Sequence, residues 1–320
     1  MIKGKKILVT GGSGFIGTNL CQKLVQNNQI TIFDNFVRNA ITYTELEKHK
    51  NIKIIKGDIR DKQKVKEVSR DMSIVIHLAA IAGVSEYYNN PLEVIMVNYH
   101  GTKNILDSLD YKNIELFIEA STSEIYGKNA NYVDEKNSTS SFSPDEMRSV
   151  YGKSKSLAEQ LSFCYSMQND FPLLSIRPFN IYGPGQVGEG AISNMVQRAL
   201  KNETIRVTGD GSPIRAWCYI SDFIDSILAS IEKRSVIKTE ALNIGNPTEI
   251  QTTLNLAKMI KRITNSNSEI VLVDHIGIDI PIRIPNIDKA RNLLNFEPII
   301  GLEKGIENTA AWWKIINKNE

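Results

Sequence analysis

The 320-residue sequence predicts an α/β fold built on a doubly wound parallel sheet. Three observations predict it. Short β-branched runs alternate with amphipathic stretches, a glycine-rich turn follows the first run, and an acidic residue ends the second. Strands that alternate with helices are joined by crossover connections, which place neighbouring strands parallel. We therefore expect one parallel sheet with helices wound around it.

The order of elements divides the chain into two parts. The predicted strands are residues 6–10, 29–33, 52–56, 73–78, 116–120 and 173–176, and helical patterns lie between them at residues 15–25, 62–69 and 94–109. After Pro178 the alternation weakens, and turns rich in glycine and proline separate shorter elements. We expect a main domain over residues 1–178 and a smaller C-terminal lobe, mainly residues 179–320, with some segments returning to the first domain.

Composition excludes several classes of function. Lys and Arg number 38 against 36 Asp and Glu, and the net charge of +2 gives no basic field that would attract nucleic acid. Three scattered cysteines do not make a disulfide framework or a metal cluster, so we expect free thiols, no metal and a cytoplasmic location. We also expect no signal sequence and no membrane association, since no run approaches the roughly 20 apolar residues of a membrane span.

The glycine-rich turn and the acidic residue together predict a dinucleotide site. Gly11, Gly14 and Gly17 directly follow the first predicted strand and open the first helix. Glycines let backbone N–H groups approach a pyrophosphate, and the helix N-terminus adds partial positive charge. Asp34 ends the second predicted strand, where a carboxylate accepts both ribose hydroxyls. Because this carboxylate repels a 2′-phosphate, the pattern predicts a Rossmann-type site for NAD rather than NADP.

A tyrosine and a lysine form a candidate catalytic pair. Tyr151 and Lys155 are four residues apart in a predicted helix, so they share one face and can reach one point. A phenol with an ordinary pKa near 10 is a poor base at neutral pH, and a nearby ammonium stabilises its phenolate. The pair therefore predicts proton transfer by Tyr151.

Joined to the glycine turn, this pair resembles the extended short-chain dehydrogenase/reductase family, in particular its nucleotide-sugar epimerases, dehydratases and decarboxylases. The resemblance spans nearly the whole chain, and it implies that the first domain binds NAD and the lobe binds the nucleotide sugar. The implied cofactor contacts are Gly11, Gly14, Phe15, Ile16, Gly17, Asp34, Asn35, Asp58, Ile59, Leu78, Ala79, Ala80, Asn98, Tyr151, Lys155 and Pro178.

The resemblance also implies substrate contacts and an oligomeric state. Asn180 corresponds to an asparagine that contacts the sugar diphosphate, and Arg215 and Arg283 correspond to arginines that contact the substrate phosphates. A planar array of donors suits a diphosphate. Many relatives pair through the helices that correspond here to residues 98–109 and 151–163, so a homodimer is expected by analogy.

For the reaction, the resemblance implies a 4-keto sugar intermediate. Tyr151 takes the proton from the sugar O4 while the C4 hydride passes to NAD. Thr122 corresponds to the hydroxyl that bonds O4, with Ser121 and Ser123 as fallbacks. Glu124 is the next acidic residue, and a carboxylate placed there can remove the acidified C5 proton and permit loss of the 6-hydroxyl. Dehydratases that act on deoxythymidine sugars instead have an aspartate where this chain has Ser123.

Several outcomes of that intermediate stay open. We expect a nucleotide-hexose dehydratase first, with Glu124 as the base. A 4-epimerase is the alternative, because it needs only the tyrosine, the hydroxyl and rotation of the keto sugar. A nucleotide-glucuronate decarboxylase is another, although the arginine that often follows Gly-Pro in those enzymes is Gly185 here. A non-catalytic dinucleotide-binding sensor belongs to a different class, and such proteins typically lose the Tyr or Lys that this chain keeps.

Overall fold

A computed structural model describes residues 2–137, 143–274 and 277–319 of the protein. This described part contains fifteen β-strands and eleven α-helices. None of its helices combines the length and the hydrophobicity that a bilayer crossing requires.

The strands form four sheets. In chain order they are β1 Lys6–Thr10, β2 Gln29–Asp34, β3 Ile52–Lys56, β4 Ile74–His77, β5 Leu116–Ala120, β6 Asn129–Val133, β7 Leu173–Pro178, β8 Ile181–Tyr182, β9 Ile205–Thr208, β10 Ile214–Ala216, β11 Cys218–Tyr219, β12 Thr239–Ile244, β13 Ile250–Thr252, β14 Ile270–Val273 and β15 Ile282–Pro285.

The helices lie between these strands. They are α1 Phe15–Leu24, α2 Lys62–Ser69, α3 Val84–Asn89, α4 Pro91–Ile95, α5 Thr102–Asp107, α6 Val150–Asn169, α7 Ala191–Leu200, α8 Ile220–Glu232, α9 Thr253–Thr264, α10 Asp288–Leu294 and α11 Leu302–Asn319. A π-helical turn, Met96–Gly101, joins α4 to α5, and short 3-10 helices cover Ile41–Tyr43, Leu46–Lys48, Ser123–Tyr126, Met147–Ser149 and Arg234–Val236.

The main sheet is parallel and doubly wound, as the sequence predicts. In the described residues it has seven strands in the order β12-β7-β5-β4-β1-β2-β3, and every pairing is parallel. Its central strands are apolar on both faces because helices cover both, and Ile7, Leu8 and Val9 of β1 are fully buried. The strand order reverses between β1 and β4, and ligands of such sheets bind outside the carboxyl ends of the strands at that point.

The predicted bounds agree best with those in the structure where a β-branched or amphipathic run is unbroken. The bounds of β3, β5 and α2 match the predicted ranges, whereas β2 and β7 run one and two residues further, to Asp34 and Pro178. The sequence pattern does not predict β12, which pairs with β7 in parallel register. Its sequence, Thr239–Ile244, mixes polar and apolar residues without β-branched enrichment, so its pattern gives no strand signal.

The helix predicted over residues 94–109 differs in detail. It begins earlier, at Pro91, because proline at the first helical position has no N–H to lose. The π-helical turn then interrupts it, and Gly101 ends that turn against Ile59, whose side chain would lie 2.3 Å from a Cβ at Gly101. Asn98, inside the turn, is fully buried and reaches the backbone of Ile81.

A smaller sheet brings residues of the C-terminal half to the end of the main sheet. Its strand order is β13-β10-β15-β6, and β6 begins just after the 3-10 helix Ser123–Tyr126. In the parallel pairing of β10 with β15, Arg215 lies opposite Arg283. Partners in register share a face of a sheet, so the small sheet places two arginine side chains next to each other.

Candidate active site

The glycine turn between β1 and α1 depends on close backbone packing. Gly11 has a φ of +69°, and a Cβ there would lie 2.7 Å from the backbone nitrogen of Ala79. A Cβ at Gly17 would lie 2.5 Å from the Gly11 carbonyl oxygen. Helix α1 begins at Phe15 with Gly14 as its N-cap and without a side-chain cap. The first-turn N–H groups therefore remain available to a phosphate, and the turn fits a pyrophosphate.

Asp34 ends β2 directly beside this turn. Its carboxylate accepts the N–H of Ser13 at 3.0 Å and the N–H of Phe36 at 2.8 Å. A carboxylate has about four acceptor positions, so two backbone bonds leave capacity for the two hydroxyls of a ribose. The side chain of Asn35 turns away to accept the N–H of Val37 at 3.1 Å. The arrangement fits an unphosphorylated adenosine ribose.

Asp58 and Ile59, two of the implied cofactor contacts, lie just after the end of β3. Asp58 pairs with Arg60 at 2.7 Å, and the hydrogen bonds from Arg60 lower the pKa of its carboxyl group. Ile59 is buried against Gly101 in the π-helical turn. Both residues lie on the β3 side of the glycine turn, where the adenine end of a dinucleotide bound across the switch point would reach.

The segment after β4 is tied to its surroundings by polar side chains. Ala79, between Leu78 and Ala80, donates its N–H to the hydroxyl of Thr10 at 3.3 Å. The amide of Asn98 accepts the N–H of Ile81 at 2.9 Å, donates to the Ile81 carbonyl at 3.2 Å and donates to the hydroxyl of Ser154 at 3.2 Å. Asn98 therefore joins this segment to α6, the helix that carries Tyr151 and Lys155.

Tyr151 stands in the first turn of α6. The hydroxyl of Thr122 lies close enough to the phenol of Tyr151 to act against a rise in its pKa, and the ring of Tyr151 stacks on Tyr87 with 5.1 Å between the centroids. Burial raises the pKa of Tyr151 to about 12, and the negative charge of Glu124 acts in the same direction. Thr122 therefore lies where the sequence places the hydroxyl partner, while Ser123 is buried beside it.

Lys155 lies one turn further along α6 and is fully buried. Its Nζ is 3.9 Å from Oε1 of Glu119 in β5. Burial lowers the pKa of Lys155, and the carboxylates of Glu119 and Glu159 oppose that shift. Among the hydrogen bonds and ion pairs of residues 2–137, 143–274 and 277–319, none joins Lys155 to Tyr151 directly. The two residues share a helix, and the lysine reaches inward to the sheet.

Glu124 follows Thr122 and is held by two arginines. Nη1 and Nη2 of Arg148 donate to its carboxylate at 2.6 and 2.8 Å, and Nη1 of Arg283 donates at 2.9 Å. Burial raises the pKa of Glu124, but the two guanidinium groups together bring it down to about 2. A carboxylate with such a pKa is a weak base. These surroundings therefore do not support the predicted role of Glu124 as the base at C5.

Two of the three predicted substrate residues lie side by side, and the third is next to them. Arg283 donates one nitrogen to Glu124, and its buried Nε and Nη2 have no hydrogen-bond partner in the described part of the chain. Burial and the charge of Arg283 lower the pKa of Arg215 to about 10. Asn180 donates to the carbonyl of Ala216, next to Arg215, at 2.8 Å. We call Arg148, Arg215 and Arg283 the arginine cluster.

Three residues of this site, Arg148, Glu119 and Tyr87, are not among those that the sequence predicts. Arg148 is three residues before Tyr151, and a basic residue one turn ahead of a catalytic tyrosine was an available signal. Glu119 was also detectable, since it is a charged residue inside the apolar strand β5. Tyr87 gave no signal, because nothing in its local pattern connects it to a residue 64 positions later.

Comparison with known proteins gives consistent matches. The sequence profile of the NAD dependent epimerase/dehydratase family matches residues 7–245. A UDP-N-acetyl-alpha-D-glucosaminuronate decarboxylase of Bacillus cytotoxicus is 34% identical over 98% of this chain and 99% of its own. UDP-glucuronic acid decarboxylase 3 of Arabidopsis thaliana is 32% identical over 94% of this chain and 86% of its own. The structure of UDP-glucuronic acid 4-epimerase from Bacillus cereus with UDP-glucuronic acid and NAD has a TM-score of 0.89 at 28% identity, covering 97% of this chain and 99% of that one.

Proposed function

Because the chain belongs to the NAD dependent epimerase/dehydratase family and is an NAD-dependent enzyme, we propose that it decarboxylates a UDP-hexuronate. UDP-glucuronate and its 2-acetamido analogue are the candidate substrates, since two similar relatives are decarboxylases of these compounds. The single observation that carries the proposal is the arginine cluster beside Tyr151 and Thr122.

The cluster has more positive charge than its neighbours balance. Glu124 supplies one carboxylate to Arg148 and Arg283, and Arg215 has Asp279 at 3.7 Å. Buried charges need partners, and guanidinium groups bind carboxylates in a planar, bidentate manner. The C6 carboxylate of a hexuronate supplies such a partner for the remaining nitrogens of Arg283. The neutral hydroxymethyl group of a hexose does not.

Both parts of the chain contribute to this proposed site. Thr122 and Tyr151 come from residues 1–178, whereas Arg215 and Arg283 come from residues 179–320. We propose that the first part binds NAD and that the second mainly binds the nucleotide sugar, with the reacting sugar carbon between them.

The geometry of the site suits oxidation at C4 followed by loss of carbon dioxide. Bound NAD supplies a reversible acceptor for the C4 hydride. Tyr151, beside Thr122, takes the O4 proton as C4 becomes a ketone. The C6 carboxylate is then β to that ketone, so the C5–C6 bond breaks, its electron pair moves into an enolate and carbon dioxide leaves. A proton from water replaces it at C5, and Tyr151 returns its proton to O4 as C4 is reduced.

The same residues support dehydration less well than decarboxylation. It needs a base that removes the C5 proton, and the low pKa of Glu124 makes that carboxylate unsuited to the task. Decarboxylation needs no such base, because the electron pair of the C5–C6 bond stays on the sugar when carbon dioxide leaves. Glu124 then serves to orient Arg148 and Arg283.

A 4-epimerase of a UDP-hexuronate is the second candidate. The solved structure of the Bacillus cereus enzyme holds UDP-glucuronic acid, and its chain is similar over nearly its whole length. The arginine cluster would bind the same carboxylate in that reaction. The difference is that the 4-keto sugar must rotate before reduction while its carboxylate stays in place.

Product mass tests the proposal. The purified protein is incubated with UDP-glucuronate, its 2-acetamido analogue, UDP-glucose and deoxythymidine diphosphate glucose, without added cofactor, and products are followed by mass spectrometry. We expect a product lighter by one carbon dioxide from a hexuronate. An isomer of unchanged mass would establish the epimerase, and a product lighter by one water would establish a dehydratase. Tyr151→Phe is the control, and it should abolish whichever product forms.

We further propose that two chains pair through α6, as the resemblance implies, and through α4, which precedes the range 98–109 that the resemblance implies as its partner. These helices pack together and expose large apolar side chains, among them Leu92, Ile95 and Leu157. An exposed apolar patch shared by two helices is typical of an interaction surface. Sedimentation equilibrium should give twice the chain mass, and Leu157→Glu should give the monomer. A monomeric wild type would rule the pairing out.

A further inference from the structure

A carboxyl group lies inside the apolar strand that faces the catalytic helix. Glu119 is the fourth residue of β5 and is fully buried. Its Oε1 is 3.9 Å from Nζ of Lys155, which is 1% exposed. Neither carboxylate oxygen makes a hydrogen bond of normal geometry to the residues that the structure describes, although the hydroxyl of Ser162 is close enough to lower its pKa. The ammonium of Lys155 is therefore the main partner of this carboxylate.

The second acid near Lys155 is already engaged. Glu159 accepts from Nε of Arg177 through both oxygens, at 3.1 and 3.2 Å, and from Nη2 of the same residue. Arg177 also donates to the hydroxyl of Tyr126 at 2.6 Å. The charges of Glu159 and Arg177 thus balance each other, and Glu119 is left to balance Lys155.

The neighbouring strands add no charge to this pair. His77 of β4 lies in register with Glu119, but its ring hydrogen-bonds the hydroxyls of Thr10 and Thr102. Burial lowers the pKa of His77 to about 3, with a further contribution from Lys155, so its ring is neutral. On the other side, Ser175 of β7 lies in register with Glu119 and is uncharged.

We propose that Glu119 is a positioning residue for proton transfer, because its carboxylate keeps Lys155 in the ammonium form and fixes its Nζ against β5. Burial alone pushes Lys155 towards the neutral amine. A neutral amine cannot stabilise the phenolate of Tyr151, whose own pKa burial raises to about 12. The inference rests on the proposed oxidation at C4 by Tyr151 and Lys155, and it holds whether the keto sugar then loses carbon dioxide or rotates.

The charge of Glu119 itself changes near neutral pH. Burial raises its pKa to about 7, while the nearby ammonium of Lys155 opposes that rise. Above about pH 7 Glu119 is therefore mainly ionised, and its interaction with the ammonium of Lys155 requires this ionised form. Glu119→Gln keeps the shape of the side chain and removes the charge, and Glu119→Asp keeps the charge on a shorter side chain.

A pH profile of kcat/KM tests the functional part. In Glu119→Gln the pKa of Lys155 should fall, so the alkaline limb should move to lower pH by about one unit. In Glu119→Asp much of that shift should be absent. Glu115→Gln is the matched control, because Glu115 pairs with Lys5 and Arg234 away from the site, and its limbs should match the wild type. An alkaline limb that stays in place in a folded Gln variant would contradict the proposal.

A second measurement needs no substrate and therefore separates this inference from the proposed reaction. The protonated Glu119 carboxyl has an infrared C=O band, which is identified by its absence from the spectrum of Glu119→Gln. If the Gln variant does not fold, the band is identified by its shift in frequency in Glu119→Asp. The band is then titrated in the wild type and in Lys155→Met, both loaded with NAD. Removal of the opposite charge should let the band persist to a pH about one unit higher. An equal midpoint in the two proteins would show that Glu119 and Lys155 are not coupled.

Discussion

The rings of Tyr87 and Tyr151 lie parallel, with 5.1 Å between their centroids and 9° between their planes. The hydroxyl of Tyr87 accepts the N–H of Gly83 at 3.1 Å, and the guanidinium of Arg148 lies 5.3 Å from the centre of the Tyr87 ring. Tyr151 therefore packs on one side against an anchored ring, and its hydroxyl lies near that of Thr122. The stack restricts rotation of the Tyr151 ring.

Replacement of the stacked ring should affect turnover more than binding. In Tyr87→Leu, loss of a stacking contact of about 0.5–1.5 kcal/mol should lower kcat by roughly 2- to 10-fold, because Tyr151 spends less time in its productive orientation. Tyr87→Phe keeps the stack and should retain most of kcat. Steady-state kinetics gives kcat for both variants. An equal loss of kcat in the two would show that the effect comes from the Tyr87 hydroxyl and not from its ring.

Glu124 should make the stability of the protein sensitive to acid. Its pKa is about 2 in the folded state and near 4.5 in the unfolded state, so its contribution is complete above pH 4.5 and is lost as the pH falls towards 2. The contribution is up to about 3 kcal/mol. Urea denaturation of Glu124→Gln should give a lower free energy of unfolding at pH 7 and a weaker fall between pH 4.5 and the lowest pH reached.

The control for that experiment is Glu203→Gln, since Glu203 is half exposed and lies 3.9 Å from Arg198. Its unfolding free energy should follow the wild type at every pH. A Glu124→Gln profile parallel to the wild type would mean that the two arginines do not hold Glu124 as tightly as their distances imply.

Arg283 should discriminate between charged and neutral sugars. In Arg283→Met, loss of a charge-assisted contact should weaken UDP-glucuronate binding by roughly 10- to 100-fold and leave UDP-glucose binding nearly unchanged. Calorimetry with both ligands measures the difference. Arg262→Met, at an exposed residue paired with Glu303, is the control and should bind both as the wild type does. An equal loss of affinity for both ligands would instead indicate that Arg283 contacts the substrate phosphates, as the resemblance implies.

Asp34 should set the affinity for NAD. Asp34→Asn removes the charge that accepts the ribose hydroxyls, and the affinity should fall by roughly 10- to 100-fold, measured by calorimetry on protein freed of cofactor. Asp61→Asn is the matched control, because Asp61 caps α2 by accepting the N–H of Lys64 and asparagine caps equally well. An unchanged affinity in Asp34→Asn would exclude the predicted ribose contact.

Local patterns predicted most of the main sheet. The glycine turn, Asp34 and the bounds of β3 and β5 follow from short-range chemistry, since each depends on a few consecutive residues. Strand β12 escaped prediction because its place beside β7 is set by tertiary packing and not by its own composition.

The candidate site was only partly predictable for the same reason. The hydroxyl of Thr122 lies near the phenol of Tyr151, and the role that the resemblance implies for Thr122 at the sugar O4 stays a prediction. Arg283 and Glu124, which are in contact, are 159 positions apart in the sequence. A local sequence pattern does not predict which of several anionic groups an arginine binds. The assignment of Glu124 as a base stays a prediction that its electrostatic surroundings do not support, and those surroundings depend on that distant arginine.

The buried amide of Asn98 has a thermodynamic consequence. It bonds the backbone of Ile81, in the segment beside the dinucleotide turn, and the hydroxyl of Ser154, in the helix that carries Tyr151 and Lys155. We therefore expect a ligand that orders one of these two elements to stabilise the other, and such coupling is reciprocal. A dinucleotide bound beside the segment should stabilise helix α6, and a sugar bound against α6 should slow dissociation of the dinucleotide. The expected link between cofactor retention and sugar binding then runs through one side-chain amide.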